Sequence, residues 1–209
     1  MIRKINKAFS ILETVMAISM FSVLIITMGA FGYTANNFLQ SIEAKARVIN
    51  DAGLVMAHIQ ERVRLAHGDN TDKGILFGAS GSQLELYIRQ DDFTPGNYRD
   101  DNWVKYTYYA TGLGDDAHSL TYCDDWDTTA TTCNSPEIIL SNRIRFDPST
   151  SPAPGMAFVP SSHGDNFVNI PFLIVRYKPS DPPNAFYNPE LAIYQSIEFG
   201  SSSHTASRY

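Results

Sequence analysis

Between Glu13 and Glu43 the chain contains no Asp, Glu, Lys, Arg or His. That absence excludes an ordinary surface helix for the segment, because an uncharged apolar run longer than about 20 residues meets the length needed to cross a bilayer. Cations are scarce as well. The formal net charge is -6, and removal of Arg3, Lys4 and Lys7 at the N-terminus makes it more negative still. An acidic chain without clustered Lys and Arg is not built to hold nucleic acid by its phosphates. Cysteine is limited to Cys123 and Cys133, and the five histidines form no ligand pair, which disfavours a zinc site. No internal repeat or low-complexity tract occurs. The 209 residues suffice for one span and one globular domain of about 140 residues.

What is present begins with Met1-Ile2-Arg3-Lys4-Ile5-Asn6-Lys7-Ala8, a short basic leader ending in a small residue. In an ordinary secretory signal the small-residue cleavage site follows the apolar segment. Here it precedes it. The cations set the N-terminus in the cytoplasm and deliver the rest of the chain across the membrane. Glu13 is then a lone carboxylate near the start of a spanning helix. Such a residue costs about 2.5 to 3.5 kcal/mol on insertion scales, so it usually has a partner and a function. The simpler reading of Glu13 is an anion at the headgroup level, suited to the positive end of the helix dipole.

Basic leader, small residue, Phe9, three residues, Glu13 and a long apolar helix together resemble the N-terminus of type IV prepilins and of the pseudopilins of type II secretion. The resemblance implies that a prepilin peptidase cuts between Ala8 and Phe9 and methylates the new amine of Phe9. It also implies that Glu13 is an assembly group. Positions 9 and 13 lie one above the other on a helix face, and Glu13 of one subunit can neutralise the Phe9 amine of the next. The other partners implied are further pilin or pseudopilin subunits and an inner-membrane assembly platform.

Helical period continues from Thr34 to about Ala66, with an apolar stripe of Phe38, Ile42, Ala46, Ile49, Gly53, Met56, Ile59 and Val63. The expectation is one helix from Phe9 to Ala66, able to bend at Gly29 and Gly32 and C-capped near Gly68. From Gly74 the period becomes two. Leu84, Leu86 and Ile88 alternate with polar residues, as do Val104, Tyr106 and Tyr108. Further strands are expected at Ser119 to Cys123, Glu137 to Phe146, Met156 to Val159, Phe172 to Lys178 and Leu191 to Phe199. This order is α+β: a long N-terminal helix, membrane-spanning in its first half, on an antiparallel sheet. The parts are leader 1–8, spanning half 9–33, amphipathic half 34–66, β-rich periplasmic or extracellular domain 67–199 and tail 200–209. Within the family, this layout resembles the larger minor subunits, the J-type pseudopilins and PilW-like minor pilins.

Cys123 and Cys133 read as one loop-closing disulfide in an oxidising compartment, worth roughly 2 to 3 kcal/mol; two buried free thiols are the competing reading. Asp115, Asp116, Asp124, Asp125 and Asp127 supply oxygen ligands of the kind calcium takes, but the spacing lacks a calcium-loop pattern. A solvated acidic loop is the stronger reading, and no cofactor is expected. Ser161-Ser162-His163-Gly164-Asp165 holds triad residue types at adjacent positions, which do not converge as a triad must. No enzymatic activity is expected. The functional expectation is a minor pilin or pseudopilin in the inner membrane and then in a filament, with a membrane-anchored extracytoplasmic binding or enzyme domain as the alternative. The dense aromatics Trp103, Tyr106, Tyr108, Tyr109, Tyr122 and Trp126 are expected as core or cross-strand pairs.

Overall fold

The computed structural model describes residues 10–68, 73–78, 85–90, 101–109, 119–147, 153–154, 157–160, 167–179 and 181–198. Ala8, Phe9, Leu84, Asp115, Asp116, Met156, the Ser161 to Asp165 turn and the tail from Gly200 lie outside them. The chain divides into two compact units, Met1–Glu43 and Ala44–Tyr209.

One helix, α1, runs unbroken over Ile11–Arg64, through Gly29, Gly32 and Gly53. Ser10 caps it: its Oγ accepts from the Leu12 amide at 3.2 Å and its carbonyl accepts from the Thr14 amide. In the first unit the apolar side chains from Ile11 to Phe31 are exposed all round the helix. Its serine and threonine hydroxyls from Ser19 to Thr34 are turned onto the backbone: Ser19 donates to the Met16 carbonyl, Ser22 to Ile18, Thr27 to Leu24 and Thr34 to Ala30. Hydroxyls satisfied in this way are compatible with an apolar surrounding.

In the second unit, Ala44, Val48, Ala52, Val55, Met56, Ile59 and Val63 are buried. The stripe expected from helical period is therefore corrected. Met56, Ile59 and Val63 belong to it, but Phe38, Ile42, Ala46, Ile49 and Gly53 are exposed. Ala44 and Ala52 share the buried face with the larger Val48, Val55, Met56, Ile59 and Val63.

The helix also ends earlier than Ala66. Ala66 bridges to Gln90, the His67 amide donates to the Arg89 carbonyl, and the Arg89 amide donates to Gly74. A backbone claimed by a strand cannot continue the helical ladder. The return at Gly74 is tight: a Cβ there would stand 2.4 Å from the His67 carbonyl oxygen, so only glycine fits.

The strands in chain order are β1 Ile75–Phe77, β2 Glu85–Gln90, β3 Asn102–Tyr108, β4 Leu120–Cys123, β5 Trp126–Asp127 and β6 Thr132–Cys133. They continue as β7 Ile138–Ser141, β8 Phe146–Asp147, β9 Ala153–Pro154, β10 Val159–Pro160, β11 Phe167–Arg176 and β12 Glu190–Glu198. The main sheet is antiparallel in the order β1-β2-β3-β4-β7, and a second one runs β10-β11-β12. Short pairs β5-β6 and β8-β9 complete the set.

Period two holds where it was expected: Leu86, Ile88, Val104, Tyr106 and Tyr108 are buried in one core with Val55, Ile59 and Val63 of α1. The strand expected over Glu137 to Phe146 is in fact broken. Ser141 Oγ accepts from the Arg143 amide, and the chain then crosses to β11, where Ile144 bridges Val175. That crossing joins the two sheets over Ile144, Ile170, Leu173 and Val175. β11 starts earlier than Phe172 and carries an irregularity between Ile170 and Leu173, where Pro171 has no amide to give the ladder.

Candidate functional site

Three constellations stand out, and the first is the start of α1. Glu13 lies in its first turn, exposed, and has no hydrogen bond or ion pair among the described residues. It is the only charged side chain between Ser10 and Glu43, on a helix long and apolar enough to cross a membrane. A carboxylate in the first turn suits the helix dipole, but the Ser10 hydroxyl already serves the Leu12 amide. Among the described residues the Glu13 oxygens have no donor.

The second constellation, where α1 meets the main sheet, was not legible as a cluster. His58 Nδ1 lies 2.7 Å from the Tyr106 hydroxyl, and the His58 ring sits edge-on to Tyr122 at 4.6 Å. Tyr106 and Tyr122 pair directly across β3 and β4, their rings 5.1 Å apart. Arg62 donates to Gln90 at 2.7 Å and to Asp124 at 3.2 Å, and Asp124 also accepts from the Tyr122 hydroxyl. Lower on the helix, Arg143 donates to Asp51 at 2.7 Å. Single helical residues spaced far from their strand partners give no local signal, so only the fold reveals this seam.

Burial pushes both phenols up, Tyr106 chiefly by desolvation and Tyr122 by desolvation and its bond to Asp124. They stay neutral at any physiological pH, which suits packing rather than proton transfer. Burial, and then the Arg62 charge, hold His58 below its ordinary 6.5. The unfolded chain thus takes up a proton at a higher pH than the folded one, and stability falls as pH drops through 6.5 toward the folded value. Melting of the full chain in detergent between about pH 7 and pH 5 should show this loss, with a shallower slope in His58→Gln.

The third constellation is the disulfide hairpin. Cys123 and Cys133 are bridged, with a Cα separation of 6.0 Å, which settles the pairing against free thiols. Asp127 Oδ1 accepts from the Thr129 and Ala130 amides, which holds its carboxyl below the usual range. The turn ends at Thr131, whose φ of 55° is a left-handed conformation costly for a β-branched residue. Under the hairpin, Lys105 is almost fully buried, its Nζ 2.9 Å from Glu85 and 4.0 Å from the centre of the Trp126 ring. Tyr87 donates to the same Glu85, and burial raises its phenol to about 12.

The hairpin is thus clamped twice, once covalently and once by a cation between acid and indole. Replacing both cysteines by serine should lower unfolding stability by roughly 2 to 3 kcal/mol. A denaturant series on the full chain, compared with the oxidised parent, measures it, and the reduced parent should match the variant.

Asp124, Asp125 and Asp127 do not assemble as a metal set. Among the described residues no group of three or more His, Cys, Asp or Glu could hold an ion. Asp124 is committed to Arg62 and Tyr122, and Asp127 to its own turn. Asp115 and Asp116 lie outside the described residues.

Fold and site together define a pilin-like α+β architecture: a long N-terminal apolar helix packed against antiparallel sheets. The apolar helix marks a membrane anchor or signal, and the disulfide marks an extracytoplasmic domain. Comparison with protein families, characterised proteins and solved structures finds no match.

Proposed function

We propose that this chain is a minor pilin or pseudopilin, a structural subunit built into an envelope filament, at or near its tip, after leader cleavage and N-methylation. One observation carries the reading: α1 runs as one helix from a lone first-turn carboxylate, through a charge-free apolar stretch, onto an antiparallel sheet. The first half is the part that sits in lipid and then among neighbouring helices. The second half is the spine of the exported domain.

On this reading the chain has no catalytic turnover. It is inserted in the inner membrane with its N-terminus cytoplasmic, a prepilin peptidase cuts after Ala8, and Phe9 receives the methyl group. Glu13 then meets the Phe9 amine of an adjoining subunit on the assembly platform. Charge complementarity in an apolar medium supports the pairing, since an acid and an amine there stabilise each other far more than in water.

Intact-mass analysis of the membrane-extracted protein tests the proposal. The expected species lacks Met1 to Ala8 and carries one extra methyl group on Phe9. A chain that keeps the octapeptide in cells with active prepilin peptidase would overturn the proposal and leave a tethered extracytoplasmic domain in its place.

A further inference from the structure

On the face of the main sheet away from α1, the disulfide hairpin and the ends of β2 and β3 enclose a groove of about 520 Å³. Arg89, Asp101, Trp103, Asp125, Trp126 and Asp127 line it. Among the described residues three carboxylates stand there against one guanidinium, and the two indoles are the only tryptophans in the chain. Asp101 is the least ordinary member. Its side chain is fully buried, with Oδ2 3.2 Å from His67 Nδ1 and Oδ1 without a hydrogen-bond partner among the described residues. A buried carboxylate oxygen left unbonded carries a desolvation penalty that a donor placed beside it would offset.

The walls are set in advance. Cys123–Cys133 closes the hairpin, the Asn134 amide donates to the Asp125 carbonyl, and Asp127 Oδ1 is fixed by two amides. The groove also contains an example of what it selects, since the Arg89 guanidinium lies over the Trp103 ring at 4.8 Å. Its carboxylates are too dispersed for a metal ion among the described residues. A wide planar cation fits better, because a guanidinium stacks on an indole face, is weakly hydrated, and reaches several carboxylate oxygens at once.

We propose that this groove binds an arginine side chain presented by another protein, its guanidinium against the tryptophans and its charge answered by Asp101, Asp125 and Asp127. The chain's net charge of -6 favours approach of a basic segment. The inference concerns the β-rich unit alone and holds whether or not the chain enters a filament.

The test uses the full chain in nonionic detergent and the peptide acetyl-Gly-Arg-Gly-amide, with the citrulline peptide as the uncharged isostere. Both tryptophans line the groove, so intrinsic fluorescence reads it directly. A saturable change with a Kd of roughly millimolar order is expected for the arginine peptide. Citrulline should weaken it at least tenfold, and so should Asp125→Asn. The Asp125 side chain is exposed and makes no hydrogen bond or ion pair among the described residues, so that variant keeps the fold, which its circular dichroism and melting verify. Asp127→Asn retains an acceptor for the turn amides and should act in the same direction. A response that does not saturate, that citrulline reproduces, or that Asp125→Asn leaves unchanged overturns the proposal.

Discussion

Glu13→Ala is expected to leave membrane insertion intact and to cut incorporation into filaments by tenfold or more. Alanine is a better helix former than glutamate and lacks its insertion cost, so the span itself gains. On the proposed function, what is lost is the partner for a charged amine in an apolar interface. Breaking a buried ion pair by removing one member costs about 3 to 5 kcal/mol, and every 1.4 kcal/mol is about tenfold. Fractionation checks insertion, and the share of subunit recovered in sheared filaments or pseudopili checks assembly. Glu13→Gln keeps the shape and hydrogen bonding without the charge; it should fall on the side of alanine if charge is the cause. Wild-type incorporation of both variants would remove Glu13 from the assembly mechanism.

The second large effect concerns the spine. Ile59 is completely buried between α1 and the sheet, whereas Ile49 on the same helix is 58% exposed. Ile59→Ala is expected to cost about 2 to 5 kcal/mol, the lost transfer energy plus the cavity left behind. Ile49→Ala should change unfolding stability by no more than about 0.5 kcal/mol. A typical domain has only about 5 to 15 kcal/mol in hand, so the first variant should melt conspicuously early and the second should not. Denaturant unfolding of the full chain in detergent, followed by tryptophan fluorescence, distinguishes them. Equal effects at the two positions would mean that the packed face of α1 is not the one described.

That contrast also marks the limit of reading a helix by its large apolar residues. Phe38, Ile42 and Ile49 recur at the right interval and were expected in the packed stripe, yet they are exposed, while Ala44, Val48 and Ala52 take the packed face. Helical period identifies an apolar arc but not which part of it meets the sheet, and Ala46 and Gly53 fall outside the packed part along with the larger residues. In the strands the reverse holds. Period two leaves only two faces, so Leu86, Ile88, Val104, Tyr106 and Tyr108 could be assigned inward without ambiguity. The cysteine pair was equally accessible, because two thiols in an exported domain have few other fates.

Local pattern alone determined that a charge-free apolar helix opens the chain, that one carboxylate sits at its start, and that strands follow. Each of these depends on neighbours within a turn or two, where composition and spacing carry the physics. The tertiary structure alone decided which arc of α1 is buried, that Ser141 breaks a strand to carry the chain from one sheet to the other, and that His58 meets Tyr106 and Tyr122. It alone placed Trp103 and Trp126 on one acidic groove. Those contacts join residues far apart in the chain, and their energies come from burial and pairing that exist only once the helix and both sheets have closed on a common core.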